Sequence, residues 1–205
     1  MGTEAVSALT STQVASMRTS QIQGLTTTQL AGLDATDIAE FSTTQLQSLT
    51  TAQVAGLTST NAQALSVTQL AALTTAQVAA LTFTTTTFAA FAETQLAALT
   101  TTQVSSLTTS QLQSLTSTKF ASLTETQIGS LTTSQVASIS TTNLSALDAT
   151  QINAFRTTQL QTLTTTQLNG LTATDIGELT TTQIGQLTTA QVRGISTTNI
   201  GALSD

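Results

Sequence analysis

The 205-residue chain contains no Cys, His, Pro, Trp or Tyr. Without a thiolate or an imidazole it cannot build a Cys–His pair, a Ser–His triad or an ordinary zinc or copper site. Charge is scarce as well: 7% of residues are charged, 4 basic against 10 acidic, for a formal net charge of -6. Arg18, Lys119, Arg156 and Arg193 are scattered along the chain. Binding to phosphate backbones or to an anionic membrane surface draws on clustered cations, so no nucleic-acid partner is expected. No apolar run approaches the roughly 18 residues of a membrane span, so no membrane insertion is expected. The Met1 end also lacks the basic stretch followed by an apolar stretch of an export signal, so any export would rely on a signal elsewhere. No catalytic residues and no cofactor are expected.

What the chain does have is a repeat. Apolar residues make up 39% of it and the mean hydropathy is +0.20, well away from the polar, highly charged compositions that stay unfolded. Large apolar residues recur every eight positions at Leu9, Met17, Leu25, Leu33, Phe41 and onward to Leu81. After a slip of two at Leu81 and Thr82 the frame restarts at Phe83 and runs through Phe91, Leu99 and Leu107 to Leu203. The consensus is Leu-Thr-Thr-Thr-Gln-(Leu/Val/Ile)-Ala-Ala. Fixed-period self-similarity of this kind marks a solenoid, and residues 1–205 are expected to form a single continuous one.

A straight helix does not suit a period of eight, because eight steps of about 100° leave each apolar position about 80° out of phase with the last. A short helix restarted in every repeat fits. In the unit Leu25, Thr26, Gln29, Leu30, the Thr26 hydroxyl would accept from the Gln29 amide while the Gln29 side chain reaches back to the Thr26 amide, a capping box. Leu25 and Leu30 then hold the two positions of a hydrophobic staple. Replacements at the second position are mostly Ser or Asp, as at Ser42, Ser66, Asp34 and Asp148, all good N-caps. Arg18, Ala92 and Arg156 break that rule, and Lys119 and Thr87 break the glutamine position. Helices this short fall far below the roughly 12–15 residues at which isolated helices become marginal, so neighbouring repeats must hold them. The fold class expected is all-α, a solenoid of very short helices, one per repeat, with first- and sixth-position side chains inside. The alternative is a β-solenoid, favoured by Thr and Val propensities. Against it, positions one and six have opposite parity, and no fixed Gly, Asn or Pro marks a corner.

Few residues invite a functional reading. Asp34, Asp37 and Glu40, echoed by Asp175 and Glu178, are the one metal candidate, since carboxylates suit Ca²⁺. The simpler reading makes Asp34 a cap, places Asp37 at the glutamine position and Glu40 at a turn, and no calcium-loop spacing is present. A glycosidase pair would need two carboxylates facing a cleft, and nothing in a uniform array singles one out. The stretch from Leu81 to Phe91 holds three of the six Phe residues. It reads as a bulge with a refilled core rather than an exposed recognition patch. Regularly spaced Thr allows an ice-binding surface, although the same Thr residues serve as caps. The seventh position varies most, as a peptide- or glycan-binding groove would require, but mostly among small and polar residues.

The tracts LTTTQLAGL, LTTAQVAAL and LTTTQIGQL resemble the Leu-Thr-Thr-x-Gln octapeptide arrays of large bacterial surface and secreted proteins described as adhesin-like, and the resemblance covers essentially the whole chain. It implies an extracellular or cell-surface spacer or self-assembling scaffold without catalysis. MGTEAVSA reads as a degenerate repeat and LSD as the start of another, with no polar capping repeat at either end. Self-association, end-to-end or lateral, is therefore expected.

Overall fold

A computed structural model of the chain describes residues 6, 8–81 and 88–203. Among the described residues the chain forms 23 helices of four to six residues, from Ser11–Ser16 to Thr197–Gly201, and no strand. The architecture is the expected all-α one, and the β-solenoid alternative is set aside.

One repeat shows why. Thr50 sits in an extended conformation (φ -70°, ψ 156°) and its side chain accepts from the Gln53 amide, which starts the helix Thr51–Ala55. Gly56 closes it in the right-handed helical region (φ -83°, ψ -6°). In six-residue helices the following first-position residue makes the exit instead, as Leu49 does after Thr43–Ser48 (φ -59°, ψ 138°). The chain thus leaves this helix through an extended first residue and an extended N-cap, Leu49 and Thr50, whereas Leu81 after Thr75–Ala80 departs from that conformation (φ -67°, ψ 24°). None of the described residues has a positive φ. The reversal needs no left-handed residue, which explains how an array without fixed glycines can turn after every helix.

The chain separates into two compact units, Met1–Ser114 and Leu115–Asp205. Within each, a helix packs on the helix three repeats away. In the first unit Thr19–Gln23 packs on Thr43–Ser48, which packs on Val67–Ala72, and Thr51–Ala55 packs on Thr75–Ala80. In the second, Ser117–Ala121 packs on Thr141–Leu144, that helix on Thr165–Gly170, and the last on Thr189–Gly194. Three repeats therefore complete one turn of a helical solenoid in each unit. First- and sixth-position side chains fill the core, as with Leu33, Ile38, Phe41, Leu46, Leu49 and Val54. Burying each such side chain contributes about 1.5–3 kcal/mol, which offsets the cost of restarting a helix in every repeat.

The slip at Leu81 and Thr82 borders residues 82–87, which lie outside the described residues, as do Thr87 and Phe83. Leu81 itself is buried. On the far side Phe88 and Phe91 are buried and meet edge to face, with ring centroids 5.5 Å apart. The stacking rule persists with two extra residues: Val67–Ala72 packs on Glu93–Ala97, and Thr75–Ala80 on Thr101–Ser106. The larger rings at 88 and 91 are core, not a surface patch.

Some turns approach so closely that only glycine fits. A Cβ on Gly170 would stand 2.6 Å from the Thr141 Cβ, and one on Gly194 3.1 Å from the Thr165 Cβ and 2.4 Å from its Cγ2.

Candidate functional site

The most distinctive polar feature is the fifth position. Its side-chain oxygen closes the N-terminus of its own helix: the Gln53 Oε1 accepts from the Thr50 amide at 2.8 Å, and the Gln53 amide donates to the Thr50 Oγ1 at 3.2 Å. The same reciprocal box recurs at Thr26 and Gln29, the unit singled out in the sequence, with 2.8 and 3.2 Å. Leu30 is fully buried there.

The other half of the amide does something the box does not require. The Gln53 Nε2 donates to the carbonyls of Ile22 (2.9 Å), Gln23 (3.2 Å) and Leu25 (2.8 Å), one turn earlier in the solenoid. The Ile22 carbonyl also accepts from the Leu25 amide at 3.1 Å, and the Leu25 carbonyl lies in the link beyond the helix, where backbone acceptors lack intrahelical donors. Gln45 bonds Val14 and Met17, and Gln77 bonds Leu46, Gln47 and Leu49, in the same way. In the second unit Gln167 bonds Val136 and Ile139, and Gln191 bonds Leu160 and Leu163. The acceptors lie 31 and 28 residues back. After the slip these offsets become 33 and 30, as for Gln103 on Leu70 and Leu73. The ladder thus re-registers across the slip at Gln95 and Gln103. One buried side chain caps its own helix and stitches it to the previous turn.

A signal for this second role was present in the sequence. A capping box needs only an acceptor, and Glu would also suit the positive end of the helix, yet no fifth position holds Glu. Most fifth positions hold an amide, which supplies a donor as well; Asp37 and Asp175 are the carboxylate exceptions. Asn serves with shorter reach: the Asn61 Nδ2 bonds Leu33 at 2.8 Å, and Asn199 bonds Leu168 and Leu171.

The exceptions keep part of the scheme. Arg18, Ala92 and Arg156 provide no side-chain cap, but their amides still donate to the Oε1 of Gln21, Gln95 and Gln159 at 2.9, 2.9 and 2.7 Å. At Lys119 the Thr116 cap survives at 3.4 Å. The seventh position, the most variable in sequence, makes a second set of links at several turns. Gln23 bonds the Ser48 carbonyl (3.0 Å), Gln47 that of Ala72 (2.7 Å), and Asn169 that of Gly194 (2.8 Å).

The acidic candidates fall on the same positions. The Asp37 Oδ2 accepts from the Asp34 amide at 3.0 Å and the Asp34 Oδ1 from the Asp37 amide at 2.9 Å, a capping box made of two aspartates. Glu40 closes that helix in the right-handed helical region. Asp175 repeats the box with Thr172 and also accepts from the Ser145 hydroxyl at 3.1 Å, so this rung survives with its polarity reversed. Ser7, at the same offset before Asp37, lies outside the described residues. The Glu40 Oε2 and Glu178 Oε2 are buried without a partner. Among the described residues no three His, Cys, Asp or Glu side chains gather as a metal would require. An open groove of about 590 Å³ in the second unit is lined by Glu125, Thr126, Gly129, Asn153, Ala154 and Arg156, among others. It contains one carboxylate and no aromatic ring. No helix among the described residues is long and apolar enough to cross a membrane.

Compared with known proteins, the chain matches no curated protein. Residues 30–67 match the family model of the ALTTAQ repeat, and this segment contains the boxes of Asp34 with Asp37, Ser42 with Gln45, Thr50 with Gln53 and Thr58 with Asn61. The chain therefore carries a tract of that repeat.

Proposed function

We propose that this chain is a structural repeat segment, a spacer or scaffold of an extracellular or cell-surface bacterial protein, with no catalytic activity. The observation that carries this reading is the use made of the repeat's polar groups: the Thr hydroxyls cap helices, and the Gln amides both cap them and join successive turns. The match to a repeat family supports a tandem structural role, and the resemblance to bacterial surface arrays supports the location. A binding solenoid would keep its most variable position free for a ligand, whereas Gln23, Gln47, Gln161 and Asn169 are bonded to the next turn. Ice binding has exposed Thr at the third and fourth positions in its favour, as at Thr27, Thr28, Thr101 and Thr102. The test is to apply the purified chain to glycan and peptide arrays and to measure thermal hysteresis. No saturable ligand and no hysteresis are expected; selective retention of one sugar or peptide class, or a measurable hysteresis, would overturn the reading.

A further inference from the structure

Gly170 is the one glycine in the sequence that follows an asparagine. An Asn-Gly step readily loses its side-chain ammonia, because the glycine nitrogen is not shielded by a Cβ and the glycine backbone turns freely toward the preceding side chain. The other asparagines precede Ala62, Leu144, Ala154 and Ile200, all of which carry a Cβ. Asn169 is exposed to water, yet both ends of its side chain are held. The Nδ2 donates to the Gly194 carbonyl at 2.8 Å, and the Oδ1 accepts from the Ser196 amide at 2.8 Å. The second contact departs from the repeat pattern. Thr188 gives its N-cap amide to Gln191 of its own repeat at 2.8 Å, whereas Ser196 gives its amide to Asn169 rather than to Asn199. Asn199 instead donates to the carbonyls of Leu168 and Leu171, at 3.0 and 3.3 Å, on either side of the Asn169 and Gly170 pair. Gly170 ends the helix Thr165–Gly170, in which backbone amides bond carbonyls four residues back. The Asn169 carboxamide is thus held toward the next turn rather than toward the Gly170 nitrogen.

We propose that Asn169 is a self-modification site, silent while the turn carrying Gly194 and Ser196 is seated and reactive when that turn lifts. The Gly170 nitrogen gives up its proton and bonds to the Asn169 Cγ; the Cγ–Nδ2 bond breaks, and ammonia leaves with that proton. Water then opens the cyclic imide. Cleavage at Cγ gives an ordinary aspartate, and cleavage at the backbone carbonyl gives an isoaspartate whose main chain runs through the side chain. Neither product fits the seated turn. A carboxylate has no donor for the Gly194 carbonyl, and the extra main-chain methylene displaces Gly170 where a Cβ would already stand 2.6 Å from the Thr141 Cβ. The change is one-way, so converted turns accumulate. It goes beyond the spacer reading, which an unreactive Asn169 would leave standing.

The test holds the full chain at mildly alkaline pH, native or in guanidinium chloride, and follows the peptide containing Asn169 and Gly170 by mass spectrometry for ammonia loss, water gain and isoaspartate. Native conversion is expected to be at least about tenfold slower than denatured conversion, because the turn must open first. Gln191→Glu keeps its capping oxygen but loses its donors to Leu160 and Leu163, so the same turn opens more often and native conversion is expected to be severalfold faster. Circular dichroism checks that this variant is folded; if it is not, Asn199→Asp, which removes the donors to Leu168 and Leu171, replaces it. Asn169→Gln keeps a donor long enough for the next turn, as Gln161 shows on the Gln186 carbonyl, and is expected to stay unconverted. Hydrogen exchange over residues 189–201 is expected to be faster in converted chain than in unconverted chain. A denatured chain that does not convert at Asn169, equal native and denatured rates, no acceleration in the loosened variant, conversion of Asn153 ahead of Asn169, or unchanged exchange in converted chain would each overturn the proposal.

Discussion

The side-chain amide of Gln77 lies 2.8 Å from the carbonyl of Leu49, a residue 28 positions earlier, and 2.8 Å from that of Leu46. Its oxygen meanwhile holds the amide of Thr74 at 2.9 Å. A buried side chain that is acceptor within its repeat and donor between turns cannot be exchanged for one that does only the first job.

Replacing Gln77 or Gln103 with Glu is therefore expected to be costly although the shape and the capping oxygen are kept. The new carboxylate would face carbonyl oxygens in a buried site. The Leu46 and Leu70 carbonyls keep the Leu49 and Leu73 amides, but the Leu49 and Leu73 carbonyls lose the glutamine donor at about 1–3 kcal/mol, with more for the buried charge. Gln13→Glu, at an exposed rung, should shift stability by less than about 0.5 kcal/mol. Urea midpoints for the three variants check the ranking; equal effects inside and at the end would refute it.

The caps give a gain as well as a loss. Ala92 holds the N-cap geometry (φ -69°, ψ 156°) without a side chain to use it. Ala92→Thr should stabilise the chain by about 1 kcal/mol, and Thr132→Ala, which removes a working cap, should cost about as much. Thermal melts on the two variants should move in opposite directions.

Gly170, an eighth position, and Gly185, a seventh, both end helices but differ in what surrounds them. Gly170→Ala places a methyl 2.6 Å from the Thr141 Cβ, so the two helices must separate and lose packing, a cost of about 1–3 kcal/mol. Gly185 meets nothing within 4 Å, and Gly185→Ala should be neutral or stabilising by up to about 1 kcal/mol through helix propensity. The double variant Gly170→Ala with Thr141→Ala should recover part of the loss, which a double-mutant cycle would read.

The helices, their caps and their inward positions were legible in the sequence because each is settled within eight residues. The Thr26 and Gln29 box depends on neighbours three positions apart, and the burial of Leu30, Val54 or Phe120 follows from the period alone. The partner of the Gln53 Nε2 was not legible. It depends on how many repeats complete a turn, and that number is set by helix packing between residues far apart in sequence. Position seven misled for the same reason: Gln47 looks like free surface until the turn carrying Ala72 is placed beside it. The slip at Leu81 and Thr82 could be located, and the aromatic refilling at Phe88 and Phe91 was foreseen. That the rungs would re-register as Gln103 on Leu73 was not.

The most direct measurement of the central claim, that the glutamine amides stitch successive turns together, is hydrogen exchange of the side-chain NH₂ groups of glutamine, resolved by NMR. Protected signals are expected for Gln53, Gln77, Gln103, Gln167 and Gln191, and free exchange for Gln13 and Gln21. Free exchange at all of them would contradict the account.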